Sequence, residues 1–161
     1  MLARTPFGDA LEEIASGTLS SGSGKAAASA LALGIACLRK AVAVSARHAP
    51  EDARLDEAEA RLCALQDSAL TSAQADAIGF PRLVRAQPED EKAQAADDLA
   101  ALADRFTWLC AQVMAEAERL APMIQANMAN DILAARRLAD AACAIMEANG
   151  AENAGNTADG A

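Results

Sequence analysis

The chain is 161 residues long, with 14 Lys and Arg against 23 Asp and Glu, a formal net charge of −9, and 45 alanines. Three Phe, one Trp and no Tyr leave little strand-favouring material, and long Ala/Leu/Glu/Arg stretches favour helix, which excludes an all-β or α/β domain. The acidic balance argues against a nucleic-acid partner, because phosphate binding needs a concentrated Lys/Arg surface.

Thr5 as cap and Pro6 as first helical residue open a short helix, with Phe7, Leu11 and Ile14 at helical spacing and Gly17 closing it. The loop Thr18-Leu19-Ser20-Ser21-Gly22-Ser23-Gly24 follows. A long helix is then predicted from Gly24 or Lys25 to about His48. Its nearly uncharged run, Ala26 to Leu38, is 13 residues long. A membrane span needs about 20, so the run reads as a buried soluble helix with no membrane partner. Ala26, Ala30 and Gly34 form a stripe of small side chains along it that admits another backbone closely.

Pro50 restarts the chain, with Glu51 and Asp52 in the first turn of a third helix, where the helix dipole favours negative charge. Leu55, Leu62, Leu65 and Ala69 mark its buried side, and Gly79-Phe80-Pro81 is expected to end it. Pro88 opens a fourth helix through Glu89, Asp90 and Glu91, with Leu99, Leu102, Phe106, Leu109 and Val113 as its face. Pro122 is expected to kink or break it. A last helix begins at Gln125 or Ala126, with Asn149-Gly150 as its C-terminal cap. The expected architecture is an all-α bundle of about five helices over residues 1–150, with a disordered small polar tail at 151–161. Alanine-rich faces bury little apolar area per residue, at about 25 cal/mol per Å², so pairing with a second copy as a homodimer is expected.

No basic segment followed by an apolar one marks a secretion signal. Cys37, Cys63, Cys110 and Cys143 lie far apart without a Cys-x-x-Cys pair, so they read as small buried apolar side chains in a cytoplasmic protein, not as a metal site or disulfide framework. Gly22-Ser23-Gly24-Lys25 is not a nucleotide-binding loop: Leu19 and Ala26 stand where Gly and Ser or Thr are needed, and no strand precedes. It remains a Gly/Ser loop entering a helix, which offers free backbone N–H groups to an anion or forms an ordinary solvated turn. His48 is the only histidine, and near a helix C-terminus it reads first as a dipole partner. Asn127, Asn130 and Asp131 read as a cap and acidic first turn, and Arg136 and Arg137 as a solvated face.

In order and spacing these pieces resemble the cyclodeaminase/cyclohydrolase family of folate one-carbon enzymes, which includes the cyclodeaminase part of formiminotransferase-cyclodeaminase and stand-alone methenyltetrahydrofolate cyclohydrolases. The family's short helix, Pro-Thr-Pro-Gly-Gly-Gly-Ser turn and long Ala/Gly/Leu helix correspond to Leu19-Ser20-Ser21-Gly22-Ser23-Gly24-Lys25 and Ala26 to Leu38. Its Asn-Pro-Asn-Ala-Val-Ser-Asp stretch, helix and two asparagines four residues apart correspond to Gln125-Ala126-Asn127-Met128-Ala129-Asn130-Asp131, Asn149 and Asn153. The order agrees over roughly residues 5 to 153. Both prolines of the turn are missing, Lys25 replaces its final Ser, and Arg47-His48-Ala49-Pro50 stands where the family has a Lys-Lys-Tyr cluster. A family Asp within Asp-Ala-x-Ala-Phe is aligned with Gln74, with Asp76 two positions on.

The resemblance implies hydrolysis of methenyltetrahydrofolate to formyltetrahydrofolate, or the related cyclodeamination of a formimino group, with no metal or redox cofactor and a reduced folate or pterin as substrate. On that reading Asp131 is the carboxylate that stabilises the cationic carbon or accepts a proton, and Asn127 orients the pterin. Ser20, Ser21, Gly22, Ser23, Gly24 and Lys25 hold an anionic part of the folate. His48 replaces the lost lysine as proton donor. The alternative is a non-catalytic helical dimer of the same fold that binds a reduced folate, a pterin or a protein partner.

Overall fold

A computed structural model describes residues 7–18 and 22–158, which contain five α-helices and no strand. Helix α1 spans Phe7–Ala15, α2 Ser23–Ala46, α3 Ala53–Arg85, α4 Glu89–Leu120 and α5 Ala129–Ala158; single 3₁₀ turns at Ala121–Met123 and Ala126–Met128 join the last two. The four long helices form a ring, α2 packing on α3 and α5 and α4 packing on the same two. Short connections make chain neighbours antiparallel. The ring also closes antiparallel, since the start of α2 meets the end of α5 at Ser23 and Asn149 while Lys40 meets Asp131 near the start of α5.

The core follows the helical spacing. Leu31, Ile35, Leu38 and Val42 of α2 meet Leu55 and Leu62 of α3, Phe106, Val113 and Leu120 of α4, and Ile132 and Met146 of α5, all buried. Alanines do the spacing on α5: Ala135, Ala139 and Ala142 are fully buried. Gly34 is where α2 and α5 come closest, for a Cβ there would lie 3.0 Å from the Ala135 carbonyl oxygen and 3.3 Å from Leu138 Cβ. A second, smaller core of Leu83, Ala95, Ala96, Leu99 and Leu102 sits at the α3–α4 tip.

Helix starts obey local chemistry. Asp52 caps α3 by accepting the Arg54 N–H at 3.1 Å, so it precedes the first turn where it was expected. Glu89, Asp90 and Glu91 do fill the first turn of α4. Pro122 ends α4 as expected, at the 3₁₀ turn. Buried Ser45 ties α2 to this connection: its hydroxyl donates to the Ala41 carbonyl at 2.9 Å and accepts the Gln125 N–H at 2.9 Å.

Four expectations are corrected. Gly79-Phe80-Pro81 does not end α3, which runs to Arg85 with Pro81 buried inside it. An internal proline costs about 3 kcal/mol or more. Here the extra turn returns packing in the second core and an Arg82–Asp98 ion pair at 2.8 Å across to α4. Asn149-Gly150 is not a cap, because α5 continues to Ala158; the tail expected at 151–161 is therefore helical through that residue. Only Cys110 among the four cysteines is fully buried, the other three being half-buried free thiols. Finally, α2 is buried on one side only. With a mean hydropathy of 1.7 in its most apolar stretch it is long and apolar enough to cross a membrane, yet only half of that stretch is buried in the bundle.

Candidate functional site

Three elements meet at the start of α2. Gly22, Ser23 and Gly24 from its first turn, Asp76 and Phe80 from α3, and Asn149, Glu152 and Asn153 from the end of α5 line a cleft of about 190 Å³, with Thr18 at its edge. The long helices explain why residues so far apart in sequence converge. α3 must run past Asp76 to bring Phe80 in, and α5 past Asn149 to bring Asn153.

Gly24 is required by this meeting. A Cβ on it would fall within the Asp76 carboxylate, which therefore sits directly on the α2 backbone at the positive end of that helix. Asp76 has no hydrogen-bond or ion-pair partner among the described residues, and burial raises its carboxyl above the usual aspartate range. Asn149 Oδ1 accepts from Ser23 Oγ at 2.8 Å. Its amide nitrogen has only the Met146 sulfur at 3.9 Å, a weak acceptor, and keeps donor capacity. Asn153 is 9% exposed. Two carboxylates, Asp76 and Glu152, and no lysine, arginine or histidine line the cleft among the described residues. Its charge suits a cation.

The sequence-predicted residues divide between this cleft and the far end of the bundle. Gly22, Ser23 and Gly24 are in it; Ser20 and Ser21 lie outside the described residues. Lys25 is not in it. Its side chain is 7% exposed and turns to Glu13 of α1 in an ion pair, beside a separate recess with Gln74 and Ile78. The Lys25 ammonium, expected to hold an anion, is paired with a carboxylate of the chain itself.

Asp131 stands in the first turn of α5, accepting from Lys40 Nζ at 2.8 Å, and this contact raises the Lys40 ammonium's pKa. Lys40 lies about 25 Å along α2 from Ser23 at ~1.5 Å per residue, so within one chain Asp131 is remote from the cleft. Asn127 is exposed in the 3₁₀ turn before α5, at that same far end. His48 is exposed just beyond α2, its Nδ1 2.9 Å from the Val44 carbonyl oxygen, about 35 Å along the helix from the cleft. Within one chain, neither His48 nor Asp131 meets the glycine-serine turn.

Asp76 is the residue that sequence reasoning undervalued. Gln74, which the resemblance aligns with a family aspartate, lines the recess beside Lys25, while Asp76 two positions on lies in the cleft.

No protein-family model matches the chain, and no curated protein matches its sequence. Among solved structures it is similar to formiminotetrahydrofolate cyclodeaminase from Thermotoga maritima, with a TM-score of 0.91 at 17% sequence identity, covering 97% of this chain and 81% of that one. The likeness shows a shared fold across nearly the whole chain.

Proposed function

We propose that this chain acts in folate one-carbon chemistry, taking a reduced folate with its cationic carbon bridge in the cleft between α2, α3 and α5. The observation that carries the reading is the desolvated Asp76 carboxylate on the Gly24 backbone, without a partner among the described residues, in a cleft that the described residues line with no base. The similarity in fold to a formiminotetrahydrofolate cyclodeaminase supports the same substrate class.

A methenyl bridge is a carbon held between two nitrogens with a delocalised positive charge. A carboxylate beside it stabilises that charge before attack and takes the proton of the attacking water. Asp76 replaces Asp131 in this role within the chain. Asn149, fixed by Ser23 through its oxygen, presents its amide nitrogen to a carbonyl or ring nitrogen of the pterin. Hydrolysis of the methenyl bridge and closure of a formimino group share these requirements, and neither calls on a metal or redox cofactor. A cytoplasmic homodimer belongs to the same reading.

The decisive experiment follows loss of methenyltetrahydrofolate absorbance with purified protein against a protein-free blank. Acceleration that falls 10²–10⁴-fold in Asp76→Asn, the usual span for a positioned acid or base, supports the assignment. Full activity in that variant removes it. One observation favours a second reading, a folate-binding protein without turnover: among the described residues no lysine, histidine or tyrosine lines the cleft to protonate a departing nitrogen. On that reading a reduced folate raises the melting temperature, through RT ln(1 + [L]/Kd), while absorbance loss stays at the blank.

A further inference from the structure

Antiparallel α4 and α5 bring two cysteines that are far apart in sequence to one place. The helices lie close where a Cβ on Gly150 would be 3.2 Å from Ala103 Cβ. One heptad on along α4 and one heptad back along α5 stand Cys110 and Cys143, and a heptad step returns to the same side of a helix. Further along the same seam Arg136 Nη2 reaches Glu118 Oε1 at 3.5 Å, so the register holds on both sides of the pair. The two thiols accordingly hydrogen-bond one another, and Thr107, one turn before Cys110, also hydrogen-bonds Cys143.

Their surroundings give the two thiols different parts. Cys110 is buried, at 2% exposure, while Cys143 is half-buried and its thiol donates to the exposed Glu147 carboxylate at 3.4 Å. A small molecule from solvent therefore meets Cys143 first. Cys37 and Cys63 lie on other helices, the first near Asp131 and Lys40 and the second beside Glu59 at 3.5 Å. Burial pushes the Cys110 thiol up to about 12 and raises Cys143 as well, so exchange through their thiolates is slow at neutral pH and the pair persists as thiols until an oxidising pool is sustained.

We infer that Cys110 and Cys143 are a dithiol that a small-molecule disulfide converts into a reversible crosslink between α4 and α5, clamping the end of α5 that carries the cleft asparagines. The Cys143 thiolate attacks one sulfur of the small disulfide, whose S–S bond breaks and releases one thiolate. The Cys110 thiolate then attacks the Cys143 sulfur and expels the second. Two protein sulfurs are oxidised, the small disulfide is reduced to two thiols, and these take up the two protons that the cysteines gave. The geometry suits closure, because bonded cysteines set their Cβ atoms about 3.5–4.5 Å apart and the helices come at least that near one heptad away. Asn149 and Asn153 follow Cys143 on α5 within about three turns, so the crosslink anchors the segment that bears them. The inference holds whether or not the cleft takes a folate.

The test holds the full chain in an oxidising mixture of glutathione disulfide and glutathione until its thiol count is constant, then quenches it with N-ethylmaleimide in denaturant and digests it with trypsin. Arg105, Arg119, Arg136 and Arg137 put Cys110 and Cys143 on separate peptides. A linked Cys110–Cys143 pair should dominate, with Cys37 and Cys63 alkylated, and dithiothreitol should restore all four thiols. The linked chain should melt roughly 5–15 °C above the reduced one, as closing a loop of this length does in a domain of this size. Amides of residues 144–153 should exchange severalfold more slowly in it. Cys110→Ala should stop at a glutathione adduct on Cys143 and show neither change. In the unmodified chain, recovery of Cys110 and Cys143 as alkylated thiols or glutathione adducts, or a preference for links to Cys37 or Cys63, overturns the crosslink. A linked chain whose 144–153 amides exchange as in the reduced form overturns the clamp.

Discussion

On the proposed reading, function and stability pull against each other at a single side chain, Asp76. Its carboxyl is raised by burial, so the native state holds its proton more tightly than the unfolded chain does. Stability from this group is present below the unfolded value and lost as pH rises through the raised one. Asp76→Asn should therefore melt no lower than the unmodified protein at neutral pH, while turnover collapses. The turnover of the unmodified protein should fall as pH drops through that raised value, since the carboxylate form is the working one. Lys25 makes the opposite case. Its ammonium is buried on Glu13 and faces away from the cleft, so Lys25→Met should change folate affinity less than twofold, as titration of the binding isotherm would read. A tenfold loss would return Lys25 to the site. The sequence made both residues visible as candidates. What it lacked was the direction in which a helical lysine turns, which α1 decides by offering Glu13.

At the scale of elements, the bundle is held by tight approaches and by a few polar ties between helices. Ser45 is one, bridging the Ala41 carbonyl and the Gln125 N–H, and it sets where the chain leaves α4 for α5. Ser45→Ala leaves the Gln125 donor without its partner and should cost about 1–3 kcal/mol in denaturant unfolding. Glu116 is another. It is 8% exposed, accepts from Arg119 in its own helix and from Arg61 of α3, and these guanidiniums hold its carboxyl below the usual range, the Arg119 hydrogen bond contributing most. A depressed carboxyl stabilises above the unfolded value and ceases to as pH falls through the native one. Acid melts should accordingly show a smaller loss of midpoint below pH 4 in Glu116→Gln than in the unmodified chain. Helix count and helix faces were legible because 3.6-residue periodicity needs no tertiary information: Leu99, Leu102, Phe106, Leu109 and Val113 are all buried as read. Helix ends were not. Pro81 and Gly150 are strong local breakers, and what overrides them is contact with another helix, Pro81 through the second core and Gly150 through close approach to Ala103.

On the scale of the molecule, an antiparallel ring of four helices turns sequence distance into spatial division. The glycine-serine turn and the late asparagines, more than a hundred residues apart, share one end; Asn127, Asp131 and His48, which sequence reasoning grouped with them, are drawn to the other. Motif order along a chain carries no information on which end of a bundle each motif occupies. The resemblance in order and spacing therefore anticipated the fold, while the gathering of its polar residues in one place depends on the arrangement of helices.

The separate small core at the α3–α4 tip has a kinetic consequence. Its five residues, Leu83, Ala95, Ala96, Leu99 and Leu102, are a cluster apart from the main core, so the tip is free to unzip as a unit without dissolving the ring, and local opening of this sort lies well below the global unfolding free energy. Backbone amides of residues 82–99 should exchange with solvent deuterium faster than those of α2 under native conditions. Phe80 sits one turn from that unit and forms part of the cleft wall. On the proposed reading, exchange of the cleft's ligand should therefore quicken under conditions that speed amide exchange at the tip.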